Sequence, residues 1–248
     1  MTGVQTCALP IWVSESTVVR FANALGYSGY PKLQDALQEL IKNKLTTVQR
    51  VKMSNEDYSD DTAILSKVLK SDIDNIRGTL DEIDPKAFKN ASEEILKARK
   101  IYVLGMRSSH VIAQYLGFYL DLILDNVQVL RMDVGDVFEQ IVRINKEDVV
   151  IAFSFPRYSK KSYQVVDYAK NKGAHIISIT DSYFAPVACL SDNTLLVKSN
   201  MASFVDSLVP AMTVANALAI SVGMKEKEEI TKYFDDLEQI WKKYSVYE

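Results

Sequence analysis

Hydrophobic spacing changes repeatedly along this chain, and the changes mark out its elements. From Thr17 to Ala24 apolar positions recur at helical intervals, with Ser14 ahead of them as a suitable N-cap and Gly26, just past Leu25, as a suitable stop. Pro31 to Leu45 continues as an amphipathic helix, whereas Thr46 to Ser59 is polar without an apolar period and reads as a linker. Asp60 to Ile83 and Pro85 to Ala98 alternate apolar and charged residues at helical spacing, predicting two helices whose charge runs face solvent. Five short apolar runs come after them, at Ile101–Leu104, Val127–Leu130, Val149–Ser154, His175–Thr180 and Thr194–Val197, with helical patterns between most of them. Residues 1–12 stand apart. MTGVQTCALPI has neither period, lacks the basic start and long apolar stretch of a targeting segment, and reads as foreign to the rest of the chain.

Alternating strands and helices predict an α/β fold, a parallel five-stranded sheet flanked by helices, in which right-handed crossovers bring the strand ends to one rim. Ligands bind at that rim in such sheets. Three hydroxyl-bearing turns lie there: Gly105-Met106-Arg107-Ser108-Ser109, Ser154-Phe155-Pro156-Arg157-Tyr158-Ser159-Lys160, and Thr180-Asp181-Ser182. The first opens a helix, whose N–H groups and positive dipole end favour an anion such as a phosphate. The plainer alternative is that Ser108 and Ser109 only cap that helix. In the second turn Pro156 stops the strand and Ser159 can cap a helix running to Asn171, leaving hydroxyls and N–H groups at Ser154 and Ser159 for phosphate oxygens. Arg157 and Lys160 oppose the dipole of that helix, which favours a role with an anion over a solvated helix start.

Composition narrows the classes. At 248 residues and 48% hydrophobic content, the chain can bury one substantial core and carry a smaller module. A net charge of −3 gives no overall nucleic-acid signature, so a DNA contact needs a local basic face. Two cysteines, Cys7 and Cys189, are too few for a disulfide framework or a zinc site and point to the reducing cytoplasm. Asp121 interrupts the most apolar helix, Ile112 to Leu124, and Asp125 follows directly after it, so no membrane span is expected. His110 and Glu139 are the available acid–base candidates and form no recognisable pair, and Asp133 and Asp136 lack the support of a metal site. Neither catalysis nor a cofactor is expected.

Two stretches carry a family resemblance. VSESTVVRFANALGYSGYPKLQDAL, from Val13, resembles the second half of the helix-turn-helix domain in MurR/RpiR transcriptional regulators, where the matching helix is the recognition helix. On that resemblance Val13, Val18, Phe21 and Leu25 face a small core. Ser14, Ser16, Thr17 and Arg20 then turn to a major groove, and Tyr27, Ser28, Tyr30 and Lys32 to phosphates. Lys100 to Gly223 resembles the sugar isomerase (SIS) domain of the same regulators, a flavodoxin-like α/β domain. Gly105 and Ser109 fit its first motif, G-x-G-x-S, and Ser154 and Ser159 fit its second, S-x-S-G-x-[ST]. Arg107 and Arg157 stand where that family has glycines, and Pro156 replaces a serine, which narrows the pocket and raises its positive charge. Ser203 to Pro210 also resembles the SIS pattern and opens a long apolar helix through Ile220, expected to pack at the sheet or between subunits.

The resemblance implies a ligand set of Gly105, Arg107, Ser108, Ser109, Ser154, Arg157, Tyr158, Ser159, Lys160, Thr180 and Asp181 around a phosphorylated sugar, in a homodimer whose dimers can pair into tetramers. The domains expected are a partial helix-turn-helix and linker over 13–55 and the SIS domain with leading and trailing helices over 60–248. Helices that precede the recognition helix in the family are missing here, so operator DNA is the expected partner of an intact parent and is bound weakly or not at all by this chain.

Overall fold

The computed structural model describes residues 14–34, 37, 45–54, 60–133, 135–201 and 204–247. Contacts divide the chain into two units, Met1–Arg50 and Val51–Glu248.

In the first unit, α1 spans Glu15–Ala24 and ends at Leu25, where Gly26 takes a φ of +87°, a left-handed turn that favours glycine. Helical backbone resumes at 30–34. Ala22 and Leu33 are buried, but Phe21 and Leu25 are more than half exposed, so the core expected around them does not form among the described residues. Val13 lies outside the described residues. The stretch expected as a linker contains a helix, α2 (Thr47–Ser54). Its signal is a capping box: the Thr46 N–H donates to Gln49 Oε1 at 2.9 Å and the Gln49 N–H to Thr46 Oγ1 at 3.3 Å.

The second unit opens with α3 (Asp61–Glu82) and α4 (Pro85–Lys97), capped by the Asp60 and Asp84 carboxylates, which accept from the Ala63 and Lys86 N–H groups. Then come β1 (Lys100–Gly105), α5 (Ser109–Ile123), β2 (Val127–Val129), α6 (Val137–Ile141), β3 (Asp148–Phe153), α7 (Lys160–Asn171), β4 (His175–Thr180), β5 (Asn193–Leu196), α8 (Val209–Lys225) and α9 (Lys227–Tyr244). The five strands form one parallel sheet in the order β2-β1-β3-β4-β5. Strand residues alternate between two cores. Ile101, Val103, Val149 and Ile151 pack with Ile112, Leu116 and Leu218, on the face covered by α4, α5 and α8. Tyr102, Leu104, Val150 and Ala152 pack with Val137, Val165 and Ala169, on the face covered by α6 and α7. No helix of the described residues is long and apolar enough to cross a membrane.

Because β1 leads to β2 on one side while β3 lies on the other, the chain reverses its direction of travel between β1 and β3. Loops leaving the carboxyl ends of those two strands diverge there and leave a crevice.

Candidate functional site

The loop after β1 is held tight by Gly105. A Cβ at this residue would stand 2.3 Å from the Ser109 carbonyl oxygen and 3.0 Å from the Ala113 Cβ, so only glycine lets the strand run so closely under the first turn of α5. Gly105 therefore shapes the loop and does not line the crevice. Ser108 occupies the N-cap position of α5 with helical backbone and makes no side-chain cap bond, so the plain capping role does not hold for it. After β3, Ser159 does cap its helix, accepting from the Ser162 N–H at 3.4 Å.

These two loops enclose a cavity of about 70 Å³, lined by Met106, Arg107, Ser108, Ser109, Phe153, Ser154, Phe155, Pro156, Arg157, Ser159, Ser162, Asp206 and Leu208. That is room for several water-sized atoms, the scale of a phosphate group. Ser154 is 3% exposed, and its Oγ is buried with no hydrogen-bond partner among the described residues. A buried hydroxyl without a partner carries a desolvation cost that a ligand oxygen at this position removes. The helix starts of α5 and α7 both border the cavity, and two arginines, Arg107 and Arg157, are among its lining residues.

Arg107 and Arg157 have φ angles of 56° and 62°, the left-handed region. They are the two positions where the resembled motifs carry glycine, which explains the geometry: the loop conformation is the glycine one, and an arginine is forced into it.

The third turn does not line the cavity. Thr180 is fully buried, and its hydroxyl donates to the Ser154 carbonyl oxygen at 2.6 Å. Asp181 accepts from the Tyr158 hydroxyl at 2.9 Å, and burial pushes both the Asp181 carboxyl and the Tyr158 phenol up from their ordinary values. Thr180, Asp181 and Tyr158 thus brace the second loop from β4, one strand further from the crevice. Lys160 is exposed and outside the lining. Sequence reading left Ser162, Asp206 and Leu208 out of the ligand set. Ser162 was legible as a first-turn hydroxyl of α7, and Asp206 lies in the segment that resembles the SIS pattern, but its approach to the crevice depends on the return of the chain from β5. Ser203 lies outside the described residues.

His110 is half-buried, with Nδ1 buried and without a hydrogen-bond partner among the described residues, and it lines a separate open groove of about 780 Å³ with Gln114, Phe118, Asp121, Arg131 and Asp133. Arg131 holds Asp133 at 2.7 Å and keeps its carboxyl below the usual range. Glu139 is exposed and lines neither cavity; Asp136 caps α6 and pairs with Lys161. Among the described residues no group of three His, Cys, Asp or Glu could hold a metal ion.

On the first unit, Ser14, Ser16, Thr17, Arg20, Ser28, Tyr30 and Lys32 are exposed and Tyr27 half-exposed. Ser14 Oγ lies 2.9 Å from the Ser16 hydroxyl and 2.8 Å from that of Thr17, and Arg20 Nε donates to the Ser16 carbonyl at 3.3 Å.

Comparison with known proteins places this geometry. An HTH-type transcriptional regulator of Clostridium perfringens is 27% identical over 189 residues, which cover 75% of this chain and 66% of the relative; the chain thus spans just under two-thirds of that protein's length. The sugar isomerase domain of an RpiR transcription factor from Sphaerobacter thermophilus superimposes with a TM-score of 0.67 at 25% identity, covering 70% of this chain and 97% of that domain. The Vibrio vulnificus NanR protein, solved with ManNAc-6P, shares the fold at a TM-score of 0.62 and 21% identity, covering 92% of this chain and 81% of that one. A family model described as the SIS domain matches residues 94–221, from within α4 to within α8 and so across the whole sheet and both cavity loops. The chain belongs to the SIS domain family, and its relatives include HTH-type transcriptional regulators.

Proposed function

We propose that the crevice between β1 and β3 binds the phosphate of a phosphorylated sugar, and that the chain is the sensing part of a cytoplasmic, homodimeric regulator of sugar-metabolism genes. In this reading Ser109, Ser154 and Ser159, with the starts of α5 and α7, hold the phosphate oxygens, Arg107 and Arg157 add charge, and Ser108 closes the mouth. Tyr158, Thr180 and Asp181 hold the second loop in place, and Lys160 adds charge near its exit. The observation that carries the reading is the buried Ser154 hydroxyl, left without a partner inside a cavity lined by two arginines. The NanR relative solved with ManNAc-6P supports the ligand class.

Operator DNA is the proposed partner of a whole regulator that includes this first unit, through Ser14, Ser16, Thr17 and Arg20 at base edges and Tyr27, Ser28, Tyr30 and Lys32 at phosphates, with a ligand-to-operator coupling of roughly 1–3 kcal/mol, and this chain by itself is expected to bind it weakly or not at all. Regulation without catalysis is favoured because His110 and Glu139 share no cavity.

Thermal melting with a panel of aldose and ketose phosphates tests the proposal. A rise in melting temperature without turnover is expected, abolished in Ser154→Val and in Ser109→Leu with the fold retained. Turnover of any panel member makes the chain an isomerase instead. A stabilisation that survives both substitutions places the phosphate elsewhere.

A further inference from the structure

The long helix α3 carries an apolar stripe that nothing in the described residues covers. Leu65, Leu69, Ile73, Ile76 and Leu80 recur at steps of four, four, three and four, and their exposure runs from 37% at Ile76 to 75% at Leu80. Such a run on a helix of 22 residues marks an interaction surface rather than scattered surface residues. The rotation of the helix is fixed from its other side. Asp72 accepts from the Ser207 hydroxyl at 2.6 Å, and Asn75 bonds the Asn200 backbone through both amide atoms, at 2.8 and 3.2 Å. Thr79 Oγ1 accepts from the Lys198 N–H at 2.9 Å. With Asn75 and Thr79 buried, the stripe is held outward.

We infer that this stripe is the seam between two copies of the chain, with the two α3 helices packed antiparallel across a two-fold axis between Asp72 and Ile73. The inference rests on the homodimer proposed above and assigns its surface. Two features single out this occupant. The stripe reads almost alike from either end: about the midpoint of 72 and 73, Leu65 falls opposite Leu80 and Leu69 opposite Ile76, with Ile73 at the centre, as an isologous contact requires. The charges agree with the same direction. The first half of α3 carries Lys67 and Lys70 against one carboxylate, Asp61. The second half carries Asp74 and Asp81 toward solvent against one cation, Arg77, while Asp72 and Glu82 are engaged within the subunit by Ser207 and Lys198. Antiparallel pairing sets the lysines beside the carboxylates, whereas parallel pairing sets like beside like.

Ile76 and Leu80 also open onto a groove of about 360 Å³ lined by Ile83, Phe88, Pro210 and Val214, almost without polar surface. In the antiparallel seam, Leu65 of the partner subunit arrives at its mouth. A second copy thereby fills a hollow that water wets poorly.

Sedimentation equilibrium of the full chain tests this. The wild-type chain is expected to be dimeric at micromolar concentration. Leu69→Lys and Ile76→Glu should each raise the dissociation constant at least about 100-fold, since symmetry repeats each substitution, with unchanged thermal melting of the subunit. Mixing the two variants should restore dimers, because residues 69 and 76 face each other. Restoration by Leu69→Lys with Leu69→Glu instead would make the seam parallel and overturn the geometry. Dimers that ignore both substitutions but dissociate in Phe118→Glu or Ile220→Glu would move the interface to α5 and α8. A wild-type monomer at all concentrations would remove the homodimer reading itself, while phosphosugar binding measured on the same sample would stand or fall separately.

Discussion

At Arg107 and Arg157 the chain keeps a backbone that suits glycine while giving up glycine's freedom to adopt it. A left-handed conformation costs a residue with a Cβ about 1–2 kcal/mol. Replacing Arg107 by Gly is therefore expected to raise the stability of the unliganded protein by about 1 kcal/mol in chemical denaturation, while lowering its affinity for a phosphorylated sugar. Equal affinity in the variant would mean that the guanidinium plays no part in binding. Asp181 offers a test by pH. Burial lifts its carboxyl above the ordinary 3.8, so the folded protein holds this proton more tightly than the unfolded chain does. The stability from that proton is present below 3.8 and is lost as the pH rises through the folded value. Asp181→Asn, which still accepts from Tyr158, should match the wild type in acid and exceed it at neutral pH; a gap that is the same at every pH would remove the linkage. The hydroxyl-rich turns were readable in the sequence because serine, arginine and proline cluster there. Whether a hydroxyl faces a cavity, as Ser154 does, or a neighbouring carbonyl, as Thr180 does, depends on which strand adjoins which.

Among the elements, β1 and α5 meet at the closest approach in the site. Gly105→Ala would drive a methyl group to 2.3 Å from a backbone oxygen that cannot move without unwinding the first turn of α5, so a loss of about 2–3 kcal/mol is expected from denaturant titration. A neutral outcome would show that the loop has slack. The interior strands were legible to within a residue or two, since buried parallel strands read as unbroken Val and Ile runs. Short polar elements were not. The eight residues of α2 have no apolar stripe and are announced by the Thr46–Gln49 capping box. Helix α9 was implicit only as a trailing segment; it is amphipathic yet has no buried residue.

For the molecule as a whole, α3 links what lines the cavity to what faces outward. Asp206 and Leu208 border the cavity, and Ser207 between them is bonded to Asp72 of α3, with Asn75 and Thr79 fastened to Asn200 and Lys198 just upstream. A phosphorylated sugar should therefore slow amide exchange in 204–208 and in the middle turns of α3 as well as at the strand ends. Protection confined to the loops after β1 and β3 would disconnect the two. Asn75→Ala, which removes two bonds at a buried position, is expected to cost about 2 kcal/mol and to shrink the response in α3.

By itself the sequence determined the α/β class, the number of strands and the two serine-bearing loops, because period, punctuation and residue chemistry are local properties of a chain. Tertiary structure alone decided that β1 and β3 are neighbours at the point where the sheet reverses. That adjacency turns two loops into one cavity and makes the third a brace, brings Asp206 in from a distant return, and leaves the α3 stripe facing outward. Those outcomes come from strand order and from which faces remain covered once the core has formed, and neither is carried by any single stretch of residues.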